Sequence, residues 1–344
     1  MPGYLEGQLW IKSVPSAYSL DQVTQYLKAI GLVPGAGADV DLNEGRFPRD
    51  LGTLTEVIKH HLMAFPFENT AMHYTSARKM DNHPQALFQR FIVERKGSFC
   101  FGQNTVLLEI LRGLGFRAYA GSARVNMAWQ TPERDPVYTF QSHMLLFVQP
   151  FNNSNETYVV DVGFGGNGLV RPVPLVAGEQ STVMGVGETE FHHLVKEPFR
   201  YSSLVSQHSS SHRGQEIWHL EVMHVGEGGS RSPWKRMYSF SEHEFFPADC
   251  EASSGWVTKF LPLFTDNVLA IRYLSEEGNL DGEMYRVTLF GNEVKVRRKN
   301  GETKVLAVVK TELHRVKVLR EIFGIMIEDK DAEHIRGTPA QMKE

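Results

Sequence analysis

The hydrophobic pattern of the chain changes its period after the segment NTVLLEILRGLG, and this change constrains the fold more than any other feature. Before it, apolar residues recur at the spacing of amphipathic helices in AYSLDQVTQYLKAIGL, GTLTEVIKHHLMAF and HPQALFQRFIVERK. After it come short runs typical of strands, separated by turns rich in Asn, Gly and Pro: FRAYAGSARV, TFQSHMLLFVQ, TYVVDVGF and LVRPVPLV. Helices and antiparallel strands are therefore segregated along the chain, which indicates a multidomain α+β protein.

The remainder of the chain mixes both kinds of element. Strand, hairpin and helix patterns follow one another in EIWHLEVMHV, MYRVTLFGNEVKVRRKNGETKVLAVV and HRVKVLREIFGIMI. LVPGAGADVDLNEGRFPRD is expected to be a loop, SSLVSQHSSSHRGQ a linker or mobile loop, and the tail DKDAEHIRGTPAQMKE to fray. We therefore expect three units: a helical region over residues 1–95, a helix plus a small antiparallel sheet or barrel over 96–210, and strands with a terminal helix over 211–344.

Composition narrows the classes of partner. The 344 residues, 42% hydrophobic and 22% charged, suffice for about two or three domains with their own cores. The net charge is −4 and like charges form no long run, so nucleic acid and anionic membranes are poor candidate partners. The chain has neither a signal-peptide pattern at its N-terminus nor an apolar segment of about 18 residues. Two cysteines in unlike contexts suit a reducing compartment, and we expect a cytoplasmic protein.

Cys100 lies in KGSFCFGQN, where a Gly/Ser turn runs directly into a helical pattern. A helix N-terminus carries free N–H groups and about half a positive charge, and Arg95 and Lys96 add cationic neighbours. The thiolate is therefore favoured over the thiol, which makes the sulfur a usable nucleophile at neutral pH. The alternative is a small buried hydrophobic residue, the more common state of an isolated cysteine. We expect that state for Cys250, which has no paired base in its sequence context.

His143 and Asp161 lie on two neighbouring predicted strands, TFQSHMLLFVQ and TYVVDVGF. The turn between them has its apex near residue 152, so antiparallel pairing matches residues whose numbers sum to about 304. His143 and Asp161 satisfy this sum, and direct pairing lets the carboxylate orient one nitrogen of the imidazole ring. Each residue alone also suits a buried structural position. Together with an activated thiol, the order Cys, His, Asp predicts a catalytic triad.

These segments resemble the arylamine N-acetyltransferase family. In that family, Arg-Gly-Gly-x-Cys-x-x-x-Asn holds the nucleophile, a strand with His-Met holds the base, and Asp-x-Gly-Phe-Gly holds the acid. The corresponding segments here, in the same order, are KGSFCFGQN, SHMLLFV and VVDVGFGG, and AFPFENTAMHY is similar to the family's Pro-Phe-Glu-Asn element. The resemblance implies an N-terminal helical bundle, a central antiparallel β-barrel and a C-terminal α/β lid around a Cys-His-Asp core like that of cysteine proteases.

The resemblance also implies a reaction, the ping-pong transfer of an acyl group from acetyl-CoA or malonyl-CoA to a small arylamine or hydrazine. Cys100 would carry the acyl group as a thioester, His143 would hold the proton, and Asp161 would fix the tautomer of His143. The backbone N–H groups of Cys100 and Phe101 are candidates for binding the developing oxyanion. By resemblance, the acyl and amine pocket would be lined by Phe67, Val125, Phe164 and Gly165, which also suit plain core positions.

Three positions depart from the family motif: Lys96 replaces Arg, Ser98 replaces the second Gly, and Gly102 replaces an acidic residue common in bacterial members. The combination of Ser98 and Gly102 is similar to the motif of the family's fungal branch. Some members of that branch prefer malonyl-CoA to acetyl-CoA. The acyl donor therefore stays open between the two. A malonyl carboxylate would need a cationic partner, for which Arg95 and Arg124 are candidates.

Two function classes other than acyl-CoA transfer stay open. The same order of nucleophile, base and acid serves papain-like and transglutaminase-like enzymes, so a cysteine hydrolase or a protein cross-linking enzyme is one alternative. A non-catalytic protein whose Cys100 reacts with oxidants is the other. Xenobiotic metabolism and a dedicated pathway step are both compatible with the sequence, and it does not specify the oligomeric state.

Two further patterns in the sequence resemble binding motifs. Gly163–Gly168 matches G-x-G-x-x-G after a strand, but a segment with two prolines follows instead of a helix. This favours a tight turn at the pocket floor over a dinucleotide site. The adjacent histidines His60-His61 and His192-His193 point to different sides of a regular element and have no second cysteine nearby to complete a zinc site, so we predict no metal. We also expect no bound prosthetic group in this protein.

Overall fold

The computed structural model describes residues 3–32, 47–131, 133–204, 214–275 and 284–343. Most of the loop expected at 32–50 and of the linker expected at 202–215, and the domain boundary expected at 210/211, lie outside these ranges. The α-helices of the described part are α1 (Leu20–Ala29), α2 (Leu51–Ala64), α3 (Pro84–Phe88), α4 (Cys100–Gly113), α5 (Pro247–Phe260), α6 (Pro262–Thr265) and α7 (Glu312–Glu321). None of them is both long and apolar enough to span a bilayer.

The first helices begin where local signals predict. Ser19 caps α1 through a capping box, in which its Oγ accepts from the Gln22 N–H (3.2 Å) and the Gln22 side chain accepts from the Ser19 N–H (3.0 Å). Asp50 caps α2 by accepting from the Thr53 N–H at 2.7 Å. Helix α4 differs, because its N-cap Phe99 offers no side-chain acceptor to the first-turn N–H groups.

Eight strands form one antiparallel sheet in the order β5-β4-β3-β2-β9-β8-β7-β6. Their bounds are β2 (Arg117–Asn126), β3 (Tyr138–Gln149), β4 (Tyr158–Val160), β5 (Val173–Pro174), β6 (Val183–Met184), β7 (Glu190–Pro198), β8 (Glu216–His224) and β9 (Lys235–Glu244). The segment between the edge strands β5 and β6 bonds to β7: the Gly178 N–H donates to the Leu194 carbonyl (2.7 Å), and the Leu194 N–H donates to Ser181 Oγ (2.8 Å). The sheet therefore curls into a nearly closed barrel, as expected.

A second antiparallel sheet has the order β1-β10-β11-β12-β13. Its strands are β1 (Phe67–Glu68), β10 (Leu269–Ser275), β11 (Met284–Phe290), β12 (Glu293–Arg297) and β13 (Thr303–Val308). Strand β1 comes from the helical N-terminal region, whereas β8 and β9, which follow the expected boundary near residue 210, belong to the eight-stranded sheet. The described residues thus combine helices with two antiparallel sheets, and the three-unit division at 1–95, 96–210 and 211–344 stays a prediction.

The expectation that the C-terminal tail frays is wrong. Asp329–Ile335 forms a 3₁₀ helix, and Ala332, Ile335 and Ala340 are buried. Arg315 of α7, itself buried, donates from Nη2 to the Ala340 carbonyl at 2.8 Å. The tail is held by a few apolar side chains within a polar segment and by Arg315, which lies over 20 residues away. The local composition of the tail does not indicate either contact.

Helix α4 is the structural centre of the site. It is buried along nearly its whole length, over Cys100–Asn104 and Val106–Leu111. It packs on β2 and β3 of the barrel on one side and on α3 and α1 on another. A helix enclosed in this way is held firmly at its first residue, Cys100.

Candidate active site

The structure brings Cys100, His143 and Asp161 together. Cys100 is the first residue of α4, His143 lies in β3 beside the Ser142 carbonyl that faces the Cys100 thiol (4.0 Å), and Asp161 directly follows β4. The Nε2–H of His143 donates to Asp161 Oδ2 at 2.7 Å, and Cys100 lies close enough to the ring to help raise its pKa. All three residues are buried. A thiol, an imidazole and a carboxylate from three separated segments therefore lie together in one buried group, in which a hydrogen bond joins the imidazole to the carboxylate.

The predicted strand register is wrong by two residues. Strands β3 and β4 pair Leu146 with Val160 and Val148 with Tyr158, so Asp161 lies beyond the end of β4 and is not directly opposite His143. A shift of two residues keeps a side chain on the same face of a sheet, and the two groups therefore meet diagonally. The pairing of β2 with β3 also shifts near His143 and leaves Ser142 without a partner residue in the register. Such a bulge re-aims the side chain beside it.

Four donors converge on the Asp161 carboxylate. Oδ2 accepts from His143 Nε2 (2.7 Å) and from the Tyr238 hydroxyl (3.0 Å), while Oδ1 accepts from Asn104 Nδ2 (3.0 Å) and from the Gly163 N–H (2.8 Å). Burial alone would raise the pKa of Asp161, but the His143 charge and these hydrogen bonds lower it below its usual value. Asp161 is thus held as a carboxylate inside the protein.

Tyr238 was not predicted from the sequence. It lies on β9, pairs with Val125 of β2, and is fully buried. Its hydroxyl reaches Asp161 across 77 residues of chain, and nothing in the local sequence of β9 marks it for this contact. Only knowledge that β9 pairs with β2 could have identified it.

His143 carries the charge of this group. Burial lowers its pKa, but the Asp161 carboxylate, followed by Cys100, outweighs burial and raises the pKa to about 10. The ring is therefore protonated at neutral pH, with its charge between a carboxylate and a sulfur. The Phe164 ring packs edge-on against it, with centroids 5.4 Å apart, and the Tyr238 ring lies 5.1 Å away. These aromatic rings keep water from the imidazolium.

The loop after Asp161 packs directly on the N-terminus of α4. A Cβ at Gly163 would lie 2.6 Å from Cys100 Cα and 2.6 Å from Asn104 Nδ2, so only glycine fits there. The same contact places the Asp161 loop beside the first-turn N–H groups of Cys100 and Phe101, which no side chain caps. Their role in binding an oxyanion stays a prediction.

Three of the four predicted pocket residues lie beside this group. Phe164 contacts His143, and Phe67 is bridged to Ser98, two residues before Cys100. Gly165 has φ +92°, and a Cβ there would lie 3.7 Å from the Phe67 ring. Gly165 also accepts from the Gly168 N–H at 3.1 Å, which matches the predicted tight turn. Val125 lies one strand away, half-buried beside Tyr238.

The other candidates have different surroundings. Arg95 donates to the Ala29 carbonyl (3.1 Å) on the surface, whereas Arg124 lines a cavity of about 380 Å³ together with Gln141 and Ser253. Burial, and then the nearby Cys100, raises the pKa of Cys250 to about 12, so this thiol is unreactive at neutral pH. Among the described residues, no three or more His, Cys, Asp or Glu side chains form a group able to hold a metal ion.

Comparisons with known proteins identify related sequences. An N-acetyltransferase family model matches residues 50–332. The chain is 29% identical over 335 residues to N-malonyltransferase FDB2 of Fusarium pseudograminearum (strain CS3096), covering 94% of each chain. It is 30% identical over 233 residues to an arylamine N-acetyltransferase of Mycolicibacterium smegmatis, covering 68% of this chain and 69% of that one.

The fold is similar as well. The structure of Mycobacterium marinum arylamine N-acetyltransferase in complex with CoA superposes with a TM-score of 0.67 at 22% identity, covering 91% of this chain and 98% of that one. The family model spans most of the chain, including Cys100, His143 and Asp161. A buried cysteine at the start of a helix, a curled antiparallel sheet and these matches lead to one conclusion: the chain belongs to the arylamine N-acetyltransferase family of acyltransferases.

Proposed function

We propose that this protein is an acyl-CoA-dependent N-acyltransferase that carries the acyl group on Cys100 and passes it to an aromatic amine or hydrazine. The observation that carries the proposal is the burial of Cys100 beside His143, whose ring Asp161 holds by a 2.7 Å hydrogen bond. A protonated imidazole beside a sulfur favours the thiolate, which is the reactive form of cysteine.

In the first half-reaction, the Cys100 thiolate attacks the thioester carbonyl of the donor. The carbonyl oxygen becomes an oxyanion, for which the uncapped first-turn N–H groups of α4 are suited. When the carbon–sulfur bond to CoA breaks, the leaving thiolate takes the proton from His143. CoA departs as a thiol, and the acyl group stays on Cys100 as a thioester.

In the second half-reaction, the amine nitrogen attacks the Cys100 thioester and His143 accepts the proton that the amine loses. The carbon–sulfur bond to Cys100 breaks, so the thiolate and the imidazolium form again. Asp161 stabilises the protonated ring in both halves. Because CoA leaves before the amine reacts, the kinetics are ping-pong.

Relatives support the choice of donor. A solved relative is described in complex with CoA, and a curated relative that aligns over 94% of this chain is named an N-malonyltransferase. We therefore propose malonyl-CoA beside acetyl-CoA as a donor. A panel of acetyl-, propionyl- and malonyl-CoA with one simple arylamine will rank them. A cytoplasmic location and a role in xenobiotic metabolism stay predictions.

The decisive experiment is mass spectrometry of the protein after incubation with an acyl-CoA in the absence of amine. We expect a stable increase by one acyl group on the peptide that contains Cys100, and its loss when an arylamine is added. Cys250→Ala is expected to be labelled like the wild type, and Cys100→Ser to remain unlabelled. A cysteine hydrolase or cross-linking enzyme would show no CoA-dependent label, which would contradict the proposal.

A further inference from the structure

The turn formed by Gly165–Asn167 is held by side chains from both sheets. The Tyr273 hydroxyl, on β10, donates to the Gly165 carbonyl at 2.6 Å. Arg286, on β11, donates from Nη2 to Asn167 Oδ1 at 2.7 Å, and His192, on β7, donates from Nε2 to the Asn167 carbonyl at 3.0 Å. A turn that immediately follows the Asp161 loop is thus fixed by residues remote in sequence.

The side chains that hold this turn are buried and balanced in charge. Tyr273 is 3% exposed, Arg286 4% and Glu190 1%. Glu190 compensates the guanidinium of Arg286 through Oε1–Nη1 (3.1 Å) and Oε2–Nη2 (2.9 Å) contacts. Burial lowers the pKa of His192, which keeps the ring neutral with its proton on Nε2. A buried arginine needs both a counter-charge and acceptors, and Asn167 is one of those acceptors.

The turn positions an aromatic wall of the candidate site. Phe164 directly precedes it, with its ring 5.4 Å from His143 and 5.3 Å from Tyr238. Gly165 has φ +92°, a conformation that glycine adopts without steric cost but does not prefer over others, so the contacts from outside the turn select it. If the contacts from Tyr273 and Arg286 were lost, the turn would relax and Phe164 would move relative to His143.

We propose that Tyr273 and Arg286 are positioning residues, through which the five-stranded sheet fixes Phe164 in the pocket that receives the amine. This inference rests on the proposed function. Neither residue touches the Cys100–His143–Asp161 group, and both act through the turn. The five-stranded sheet thereby determines how the amine acceptor fits beside Phe164. The residues that react with the acyl group lie on α4 and in the eight-stranded sheet.

The test begins with Tyr273→Phe, which removes one hydroxyl and keeps the ring. We expect the KM for an arylamine acceptor to rise about threefold to tenfold, which corresponds to the loss of one buried hydrogen bond. The rate at which acyl-CoA acylates Cys100, and the pH dependence of that rate, are expected to stay at the wild-type level. Asn167→Ala should act in the same direction, because it removes the acceptor of Arg286 while Glu190 still balances the guanidinium.

Tyr74→Phe is the matched control. Tyr74 is also 3% exposed, and its hydroxyl bonds to Glu312 and Arg315, which do not contact the turn. This variant loses a buried tyrosine hydroxyl of the same kind and is expected to keep the wild-type acceptor KM. Any effect shared by Tyr74→Phe and Tyr273→Phe reflects general stability.

Hydrogen–deuterium exchange gives a readout that does not depend on activity. The amides of residues 163–168 are expected to exchange faster in Tyr273→Phe and Asn167→Ala, but not in Tyr74→Phe. An unchanged acceptor KM together with unchanged exchange would overturn the inference, as would an equal loss in both half-reactions. If no acyl-CoA labels wild-type Cys100, the proposed function fails, and the exchange data alone decide whether these residues hold the turn.

Discussion

The hydroxyl of Ser98 occupies the space that a side chain at Gly102 would need. A Cβ at Gly102 would lie 2.2 Å from Ser98 Oγ and 2.5 Å from Ser98 Cβ. The two positions flank Cys100, and both depart from the motif that the family resemblance supplies. Ser98 is completely buried, and its Oγ has no hydrogen-bond partner among the described residues. The two departures are therefore one steric pair, in which a side chain at 98 requires glycine at 102.

This pair predicts that the effect of Gly102→Ala on stability depends on the residue at position 98. Alanine is usually more stable than glycine inside a helix by about 0.5–1 kcal/mol. In the wild type, however, we expect Gly102→Ala to lower the free energy of unfolding by about 1–3 kcal/mol through overpacking. In a Ser98→Gly background the two closest contacts are gone and Leu87 Cδ2 remains at 3.0 Å, so the same change should be clearly less destabilising. Urea unfolding of the four proteins measures this, and equal effects in both backgrounds would contradict it.

Removal of the Asp161 charge should inactivate the protein without unfolding it. Asp161→Asn keeps the shape but removes the carboxylate that raises the pKa of His143, so the ring loses its proton at lower pH. We expect acyl transfer to fall about 10²-fold to 10⁴-fold. Iodoacetamide alkylation of Cys100 at neutral pH should slow as well. Wild-type rates in both assays would refute the assigned role of Asp161.

Tyr238→Phe should have a smaller effect on the same group. It removes one of four donors to Asp161 and leaves the His143 contact in place. We expect kcat/KM to fall about tenfold, the low end of what one hydrogen bond to a charged group contributes. Tyr119→Phe is the control, because the Tyr119 hydroxyl bonds to the Glu242 carbonyl (2.8 Å), away from Asp161. Equal losses in the two variants would argue against a specific contribution of Tyr238.

Gly163→Ala should separate the Asp161 loop from α4. The new methyl group would meet Cys100 Cα at 2.6 Å and the Cys100 carbonyl oxygen at 2.9 Å, and these backbone atoms belong to a buried helix. We expect a loss of acyl transfer of about 10²-fold or more, since the base and acid move relative to the sulfur. Gly255→Ala in α5 is the control, because nothing lies within 4 Å of its Cβ position. Near-normal transfer by Gly163→Ala would show that the loop contact is dispensable.

The buried His61 should make folding stability depend on pH. Its Nε2–H donates to Gln103 (2.7 Å), its Nδ1 accepts from the Tyr26 hydroxyl (2.8 Å), and burial lowers its pKa to about 4. The unfolded chain binds a proton near pH 6.5, whereas the folded protein does so only near pH 4. As pH falls through this window, the free energy of unfolding should decrease by about 1–3 kcal/mol on account of His61.

Urea unfolding at several pH values, for the wild type and for His61→Gln, checks this. The variant should show a shallower decline below pH 6.5, even if it is less stable throughout. Burial also lowers the pKa of His73 and of His219 to about 4, so some decline remains in the variant. Identical slopes would show that His61 does not contribute.

Several features could be predicted because they depend on neighbours in the chain. Helix starts follow from caps such as Ser19, and the turn at Gly163–Gly168 follows from its glycines and from the prolines after it. The order of Cys100, His143 and Asp161, together with the surrounding motifs, was sufficient for the family resemblance that the comparisons confirm. Short-range periodicity and side-chain chemistry act within a few residues, so one sequence is enough to identify them.

Other features were decided only by the tertiary structure. The sequence did not reveal the true register of β3 and β4 or the packing of the C-terminal tail. It also did not reveal the hydrogen bonds of Tyr238 to Asp161 and of Tyr273 to Gly165. Each of these depends on contacts between residues far apart in the chain, which form only when the two sheets and α4 have packed. The sequence by itself determined which chemical groups are present and in what order, whereas their distances and partners were set by long-range packing that no local pattern encodes.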